Sequence, residues 1–368
     1  MHYSLCTSMS FSAFFTNQLA LLCKVYTTAN LCVFMEQKII ILDSNGSEAL
    51  DELLDILPED IVNDSIDIID IENGKFPIDP FCIKNIKRKD SKANFISDIL
   101  LSAAYDATDA QADKLKSLIL ENIDKLIVED VISPDEIKKL LINDGPLLSS
   151  LRDKLHPLLA HLQDNINYEQ TWETILERPE NIIAFSIDAH LEKRGKKIFD
   201  ILLASLYNYH IKHKNRNIWI CIDEIQDQNL KESGIINRIF TQGRKNRTNI
   251  IAATHNFRLS RSEEWTTLNN AATKVFFKPP SSAISDVMKE LDLKQSERHL
   301  LSQMNTGECF ISSELYSKLA MTNQSAVVSG IVPQEYVKLK DLIPSEQQFD
   351  RPEPYEVQNK ETSDHNAQ

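Results

Sequence analysis

A chain of 368 residues with 42% apolar content can bury a sizeable core, enough for two average domains or one large α/β domain with an insertion, which argues against a disordered or fibrous protein. Its formal net charge of -14 argues against a protein that coats nucleic acid or membrane over its whole surface and leaves room only for local basic patches. Eight glycines disfavour an all-β protein built on many tight turns and suit a helix-rich one.

Taken in chain order, residues 1–35 form an atypical N-terminal segment. It is rather apolar but is interrupted by Thr16, Asn17, Gln18 and Lys24, and it lacks a basic start and a small-residue cleavage site. It reads as a helix and a strand-like piece, neither a signal peptide nor a membrane span. Residues 36–92 hold two strand candidates. KIIILD at 38–43 is a short apolar run closing on Asp43, the pattern of a strand buried on both faces of a parallel sheet, and SIDIIDIE at 65–72 is similar.

Residues 93–178 then show apolar positions at helical spacing, first Ile96, Ile99, Leu100 and Ala103, then Leu115, Leu118, Ile119 and Ile123. Pro134 after Ser133, with Asp135 and Glu136 following, marks a further helix start. The stretch reads as an all-helical insertion of four or five helices. From 179 to 331 strand-like runs return: NIIAFSID at 181–188, NIWICIDE at 217–224, TNIIAATH at 248–255, and the shorter KVFFK at 274–278 and ECFIS at 308–312. Each is separated from the next by enough chain for a crossover, so the simplest sheet is parallel. Residues 332–368 lose periodicity and end in a polar, proline-containing tail, expected to lack structure alone or to strap a neighbouring subunit. The six cysteines form no CxxC pair and stand beside no histidine at ligand spacing, so neither a zinc site nor a disulfide framework is indicated and a cytoplasmic setting is simplest.

The sharpest chemical feature is IWICIDEIQDQ at 218–228. A buried strand running into Asp223 and Glu224 puts two carboxylates at the C-terminal edge of a parallel sheet, where open α/β sheets bind ligands. In a nucleotide-hydrolysing enzyme the first acid holds Mg²⁺, usually through water, and the second polarises the attacking water. Alone, the same residues equally describe a strand entering a solvated acidic turn. FTQGRKNRTNIIAATHN at 240–256 supplies context: a helix end at Gly243, the basic cluster Arg244, Lys245 and Arg247, then a strand closing on Thr254 and His255. A polar strand tip beside the acids can sense a γ-phosphate, and the cluster can reach a neighbour's nucleotide; it is equally a solvated helix end complementing the macrodipole.

At this point the order of elements resembles the HerA/FtsK superfamily of P-loop motor ATPases, which includes HerA-like DNA-processing and phage-defence ATPases and conjugation and secretion ATPases. The matching stretches are IIILDSNGSEAL, IIAFSID, IWICIDEIQ, GRKNRTNIIAATHNF, NNAATKVFFKPPSS and LLSQMNTGECFI, in family order across 38–312. The resemblance implies a RecA-like, mostly parallel sheet flanked by helices, with ATP and Mg²⁺ as ligands. It gives Asp223 the Walker B role at the metal, through water, and Glu224 the catalytic glutamate role. Asp43 joins the nucleotide site, and Arg244 reaches the adjacent subunit's site. His255 stands where many relatives carry glutamine, and the turn DSNGSE has one residue more than the usual form, which leaves the partner of Glu48 open. By the same resemblance the chain forms a homo-oligomeric ring, commonly of six, on double-stranded DNA, beside a nuclease in some relatives and without a membrane. Local candidates for phosphate contact are 84–92, 192–197 and 210–216, each more simply read as a solvated basic turn.

One family element is missing. The phosphate loop, GxxGxGK[ST], belongs about thirty residues before Asp43, where the sequence reads CTSMSFSAFF, and nowhere does a Gly-Lys pair precede serine or threonine. That loop grips the β- and γ-phosphates with its backbone N–H groups and lysine. The expectation is an N-terminally truncated ATPase, or else a non-hydrolysing pseudo-ATPase or adaptor subunit that lends its arginine. A secretion-type ATPase without DNA contact is a third reading.

Overall fold

The computed structural model describes residues 37–43, 50, 54, 65–71, 76–104, 106–128, 131–142, 146–187, 191–213, 216–254, 263–291, 293–304 and 309–313. The atypical first segment, the turn with Glu48, His255 and the C-terminal tail therefore lie outside the described residues.

The chain opens with strands β1 (Lys38–Asp43) and β2 (Ile66–Ile71). Helices α1 (Lys89–Ser102) and α2 (Asp109–Leu126) follow, then a small hairpin of β3 (Ile127–Val128) and β4 (Val131–Ile132). Next come α3 (Pro134–Ile142), α4 (Ser149–Asn165) and α5 (Trp172–Leu176). Strand β5 (Ile182–Ile187) leads to α6 (Glu192–Lys212), β6 (Ile218–Ile222), α7 (Ile235–Gln242) and β7 (Thr248–Ala252). The final part holds α8 (Glu263–Asn269), β8 (Thr273–Phe277), α9 (Ile284–Glu290), α10 (Arg298–Ser302) and β9 (Cys309–Ser313).

The main sheet has five strands in the order β2-β5-β1-β6-β7, and every pairing in it is parallel. β1 and β5 are buried at every position, as their unbroken apolar runs require, because helices cover both faces. β2 departs from the buried-strand reading of its sequence: only Ile66 and Ile71 at its ends are buried and Ile68 and Asp70 are exposed, because it is the outer strand of the sheet. Lys38 opens β1 from a buried position, where its ammonium donates to the carbonyls of Arg178 and Glu180. Burial holds its pKa below the usual lysine range.

Helices α1 to α5 fill the connection between β2 and β5. The sequence periodicity reports their buried faces well: Ile96, Ile99, Leu100, Leu115, Ile119 and Ile123 are all in the core. Thr108 and Gln111 exchange the reciprocal bonds of a capping box at the start of α2, and the Ser133 hydroxyl accepts from the Glu136 N–H at the start of α3. The connection is not wholly helical. The β-branched residues Ile127, Val128, Val131 and Ile132 form the β3–β4 hairpin at its tip, where extended backbone suits their stiff side chains. Its helices share one apolar core with the sheet, and the Trp172 indole N–H donates to Ser205 Oγ on α6 at 2.8 Å.

The late strands depart from the parallel expectation. β8 and β9 pair antiparallel and form their own two-stranded sheet. The chain between them is long enough for a crossover but does not demand one, and α9 and α10 instead fold onto the pair. Phe276, Val287, Met288, Leu301 and Phe310 make a second, smaller apolar cluster there.

Candidate active site

The parallel register determines what the C-terminal edge of the sheet presents. Leu42 of β1 lies opposite Ile222 of β6, so Asp43 and Asp223 occupy adjacent positions just beyond the last paired residues. Both are buried, at 3% and 4% exposure, an uncommon state for carboxylates. On the other side of β6, Ile222 lies opposite Ala252. The ladder then runs one step further, with the Ala253 N–H donating to the Ile222 carbonyl at 3.0 Å and the Ile225 N–H donating to the Ala253 carbonyl at 2.9 Å.

Those two bonds pin a sharp turn. Glu224 adopts φ 47° and ψ 47°, a left-handed conformation that costs a non-glycine residue on the order of 1 kcal/mol. It is held there from several directions. Its N–H donates to Asp223 Oδ1 at 2.9 Å, and its carbonyl accepts from the Asp227 N–H at 2.9 Å. Its carboxylate accepts from the Gln226 amide. In the sequence, Gln226 is marked only by its place two residues beyond the glutamate, in reach of that carboxylate within one turn.

The arginine turn sits at the opposite edge. α7 ends at Gly243, and a short 3-10 turn, Gly243–Asn246, leads through Arg247 into the first residue of β7. Arg244, Lys245 and Arg247 are exposed. The length of β7 alone separates them from Asp223 and Glu224 by about 15–20 Å. The structure therefore joins Asp43, Asp223 and Glu224 at one edge and puts Arg244 at the other, out of reach of its own chain's acids. Thr254 lies within the described residues beside the acid turn, whereas His255 lies outside them. Gly243 leaves no room for a side chain without a shift of the turn, because a Cβ there would come within 2.5 Å of the Thr248 carbonyl oxygen.

The donor set at the acid edge suits Mg²⁺, which takes one or two carboxylates and keeps several waters. Asp43 and Asp223 supply two hard oxygen donors side by side by register, and Asp223 Oδ1 is oriented by the Glu224 N–H. No cluster of three or more histidine, cysteine or acidic residues that could enclose a metal occurs among the described residues. The phosphate half of a nucleotide finds less there. Among the described residues Gly195, Gly234 and Gly243 stand apart from one another, and no glycine-rich backbone cradle is formed.

Comparison with known proteins separates sequence from fold. No family model matches the sequence, and no curated protein matches it. Solved structures do match. VirB4 of Thermoanaerobacter pseudethanolicus superposes with a TM-score of 0.58 at 13% identity, covering 86% of this chain and 88% of that one. The plasmid coupling protein TrwB in complex with the non-hydrolysable GTP analogue GDPNP gives 0.60 at 13% identity, covering 90% and 86%. TrwB in complex with ADP and Mg²⁺ gives 0.59 at 14% identity, covering 86% and 81%. The chain thus has the RecA-like α/β fold of VirB4 and TrwB, over most of both lengths. No helix among the described residues is long and apolar enough to cross a membrane.

Proposed function

We propose that this chain, sharing the fold of VirB4 and TrwB, is a HerA/FtsK-type ATPase subunit that handles double-stranded DNA within a homo-oligomeric ring. The observation that carries the reading is the division of labour between the two sheet edges. Buried Asp43 and Asp223 and the constrained Glu224 stand at one, and the exposed Arg244 turn stands at the other. An arginine so far from its own chain's acids serves a nucleotide only across a subunit contact, and head-to-tail contacts of that kind close into rings. Mg²⁺ supplies Lewis-acid stabilisation of phosphate charge when bound. Asp223, with Asp43 beside it, would hold that ion. Glu224 orients and polarises the attacking water, and Gln226 fixes the glutamate's carboxylate. The TrwB structures with ADP and Mg²⁺ and with ADPNP support nucleotide and Mg²⁺ as ligands of this fold.

The test is hydrolysis and binding measured together on the full chain. Glu224→Gln is expected to abolish Mg²⁺-dependent ATP hydrolysis while leaving ATP affinity within about threefold of wild type, as loss of an interaction made only in the transition state requires. Hydrolysis that survives the substitution removes Glu224 from the role. A second reading, a non-hydrolysing ring component that lends Arg244 to an active partner, is favoured by one specific observation: no Gly-Lys-Ser or Gly-Lys-Thr occurs in the sequence. It predicts self-association with no ATP turnover in either protein.

A further inference from the structure

We infer that Tyr207 and His210, on the C-terminal half of α6, are positioning residues for Arg244; the inference rests on the trans role proposed for that arginine. The turn that carries Arg244 has three exposed cations, Arg244, Lys245 and Arg247, on its outer side. Its order comes from beneath. The Asn246 amide, buried within the turn, donates to the Tyr207 hydroxyl at 2.9 Å, and the Tyr207 side chain is itself fully buried. One helical turn further along α6, the buried His210 Nε2 donates to the Arg247 carbonyl at 3.3 Å. That carbonyl also accepts from the Ile218 N–H at 3.1 Å. It belongs to a residue at φ 57°, a left-handed conformation an arginine does not adopt without external support. The Arg238 guanidinium of α7 lies 5.8 Å from the Tyr207 ring centroid and 3.5 Å from Asp98 of α1, so the same tyrosine also fixes the helix that delivers the turn.

The other end of α6 reaches the acid edge. Lys196, near its start, lies 3.8 Å from Asp227 in the turn that follows Glu224. A 21-residue helix spans about 31 Å, enough to brace both turns at once. α6 thereby sets the Arg244 turn against the same frame that carries the chain's own carboxylates.

Limited trypsin digestion of the full chain reads the order of this turn directly, because cleavage after Arg244 and Lys245 requires it to open. Removing one bond to a buried donor shifts such an opening by roughly tenfold. Tyr207→Phe, which deletes only the hydroxyl, and His210→Ala are both expected to speed cleavage at these sites about tenfold. His210→Gln, which retains an N–H donor, is expected to stay near the wild-type rate. Exchange of the Ile225 and Gln228 amides in the acid turn should be unchanged in all three, which a general loss of stability could not produce. Cleavage at the wild-type rate in both Tyr207→Phe and His210→Ala overturns the brace. Arg244→Ala, assayed by sedimentation for ATP-stimulated self-association, tests the trans role separately. Loss of that association is expected, and its persistence alongside faster cleavage contradicts the trans role and not the brace.

Discussion

Asp200 lies buried in the middle of α6 with neither carboxylate oxygen hydrogen-bonded, and burial raises its pKa well above the usual carboxylate value. The sign of the consequence follows from linkage. Below the unfolded pKa of 3.8 the acid is neutral in both states and costs nothing extra; as pH rises above that value the unfolded chain releases the proton first, so stability falls. Asp79, which burial pushes up to about 6 against a helpful bond from the Phe81 N–H, acts with the same sign between 3.8 and about 6. Asn has a similar shape but cannot ionise, so Asp200→Asn is expected to stabilise the chain at pH 8 and to do so by less at pH 5. Denaturant unfolding at the two pH values checks it; a gain that does not grow with pH removes ionisation as the cause. Glu224 carries its cost in the backbone instead. Its left-handed conformation is held by bonds to Asp223 and Asp227 and by the bonds of Ala253 to its near neighbours Ile222 and Ile225.

At the scale of elements, the turn at Gly243 makes the tightest demand. Gly243→Ala pushes a methyl group against the Thr248 carbonyl, so the arginine turn or the start of β7 must move, at a cost of about 1–3 kcal/mol. A thermal melt shows it as a lowered midpoint, and an unchanged midpoint would mean the turn relaxes freely. The elements themselves were largely legible, and for local reasons. KIIILD, IIAFSI and IWICI are short, mainly apolar runs, and a strand covered on both faces buries such a run: the first two are buried throughout and the third at every position but Trp219. The acid pair was equally visible, because a strand that ends in two carboxylates carries its edge position in the sequence. Three things were not legible. Ile127 to Ile132 read as part of a helical stretch because each strand is only two residues long. The antiparallel pairing of β8 with β9 depends on α9 and α10 packing onto them, which no local pattern encodes. The bond from Asn246 to Tyr207 joins residues 39 positions apart, so both looked like ordinary core and turn residues.

At the scale of the molecule, the five-stranded sheet has two chemically different ends, acidic and buried at one, basic and exposed at the other. At the C-terminus of α6, which also braces the arginine turn, Tyr209, Lys212 and His213 meet Asn85, Ile86 and Phe95 of the basic stretch 84–92 and α1, and Lys212 lies over the Phe95 ring. Phosphate contacts made there release counterions, so affinity for duplex DNA is expected to fall about tenfold or more between 50 and 200 mM salt. Affinity independent of salt, or none at all, would favour the non-DNA reading. Under the proposed function, Asp43, Asp223 and Glu224 form a Mg²⁺-nucleotide site at one edge of the sheet. Calorimetric titration of ATP into the full chain, with Mg²⁺ and with EDTA, for wild type and Asp223→Asn, decides it. Wild-type binding that requires Mg²⁺ and is lost in Asp223→Asn is expected; binding indifferent to both the metal and that carboxylate, or none by wild type, refutes the assignment.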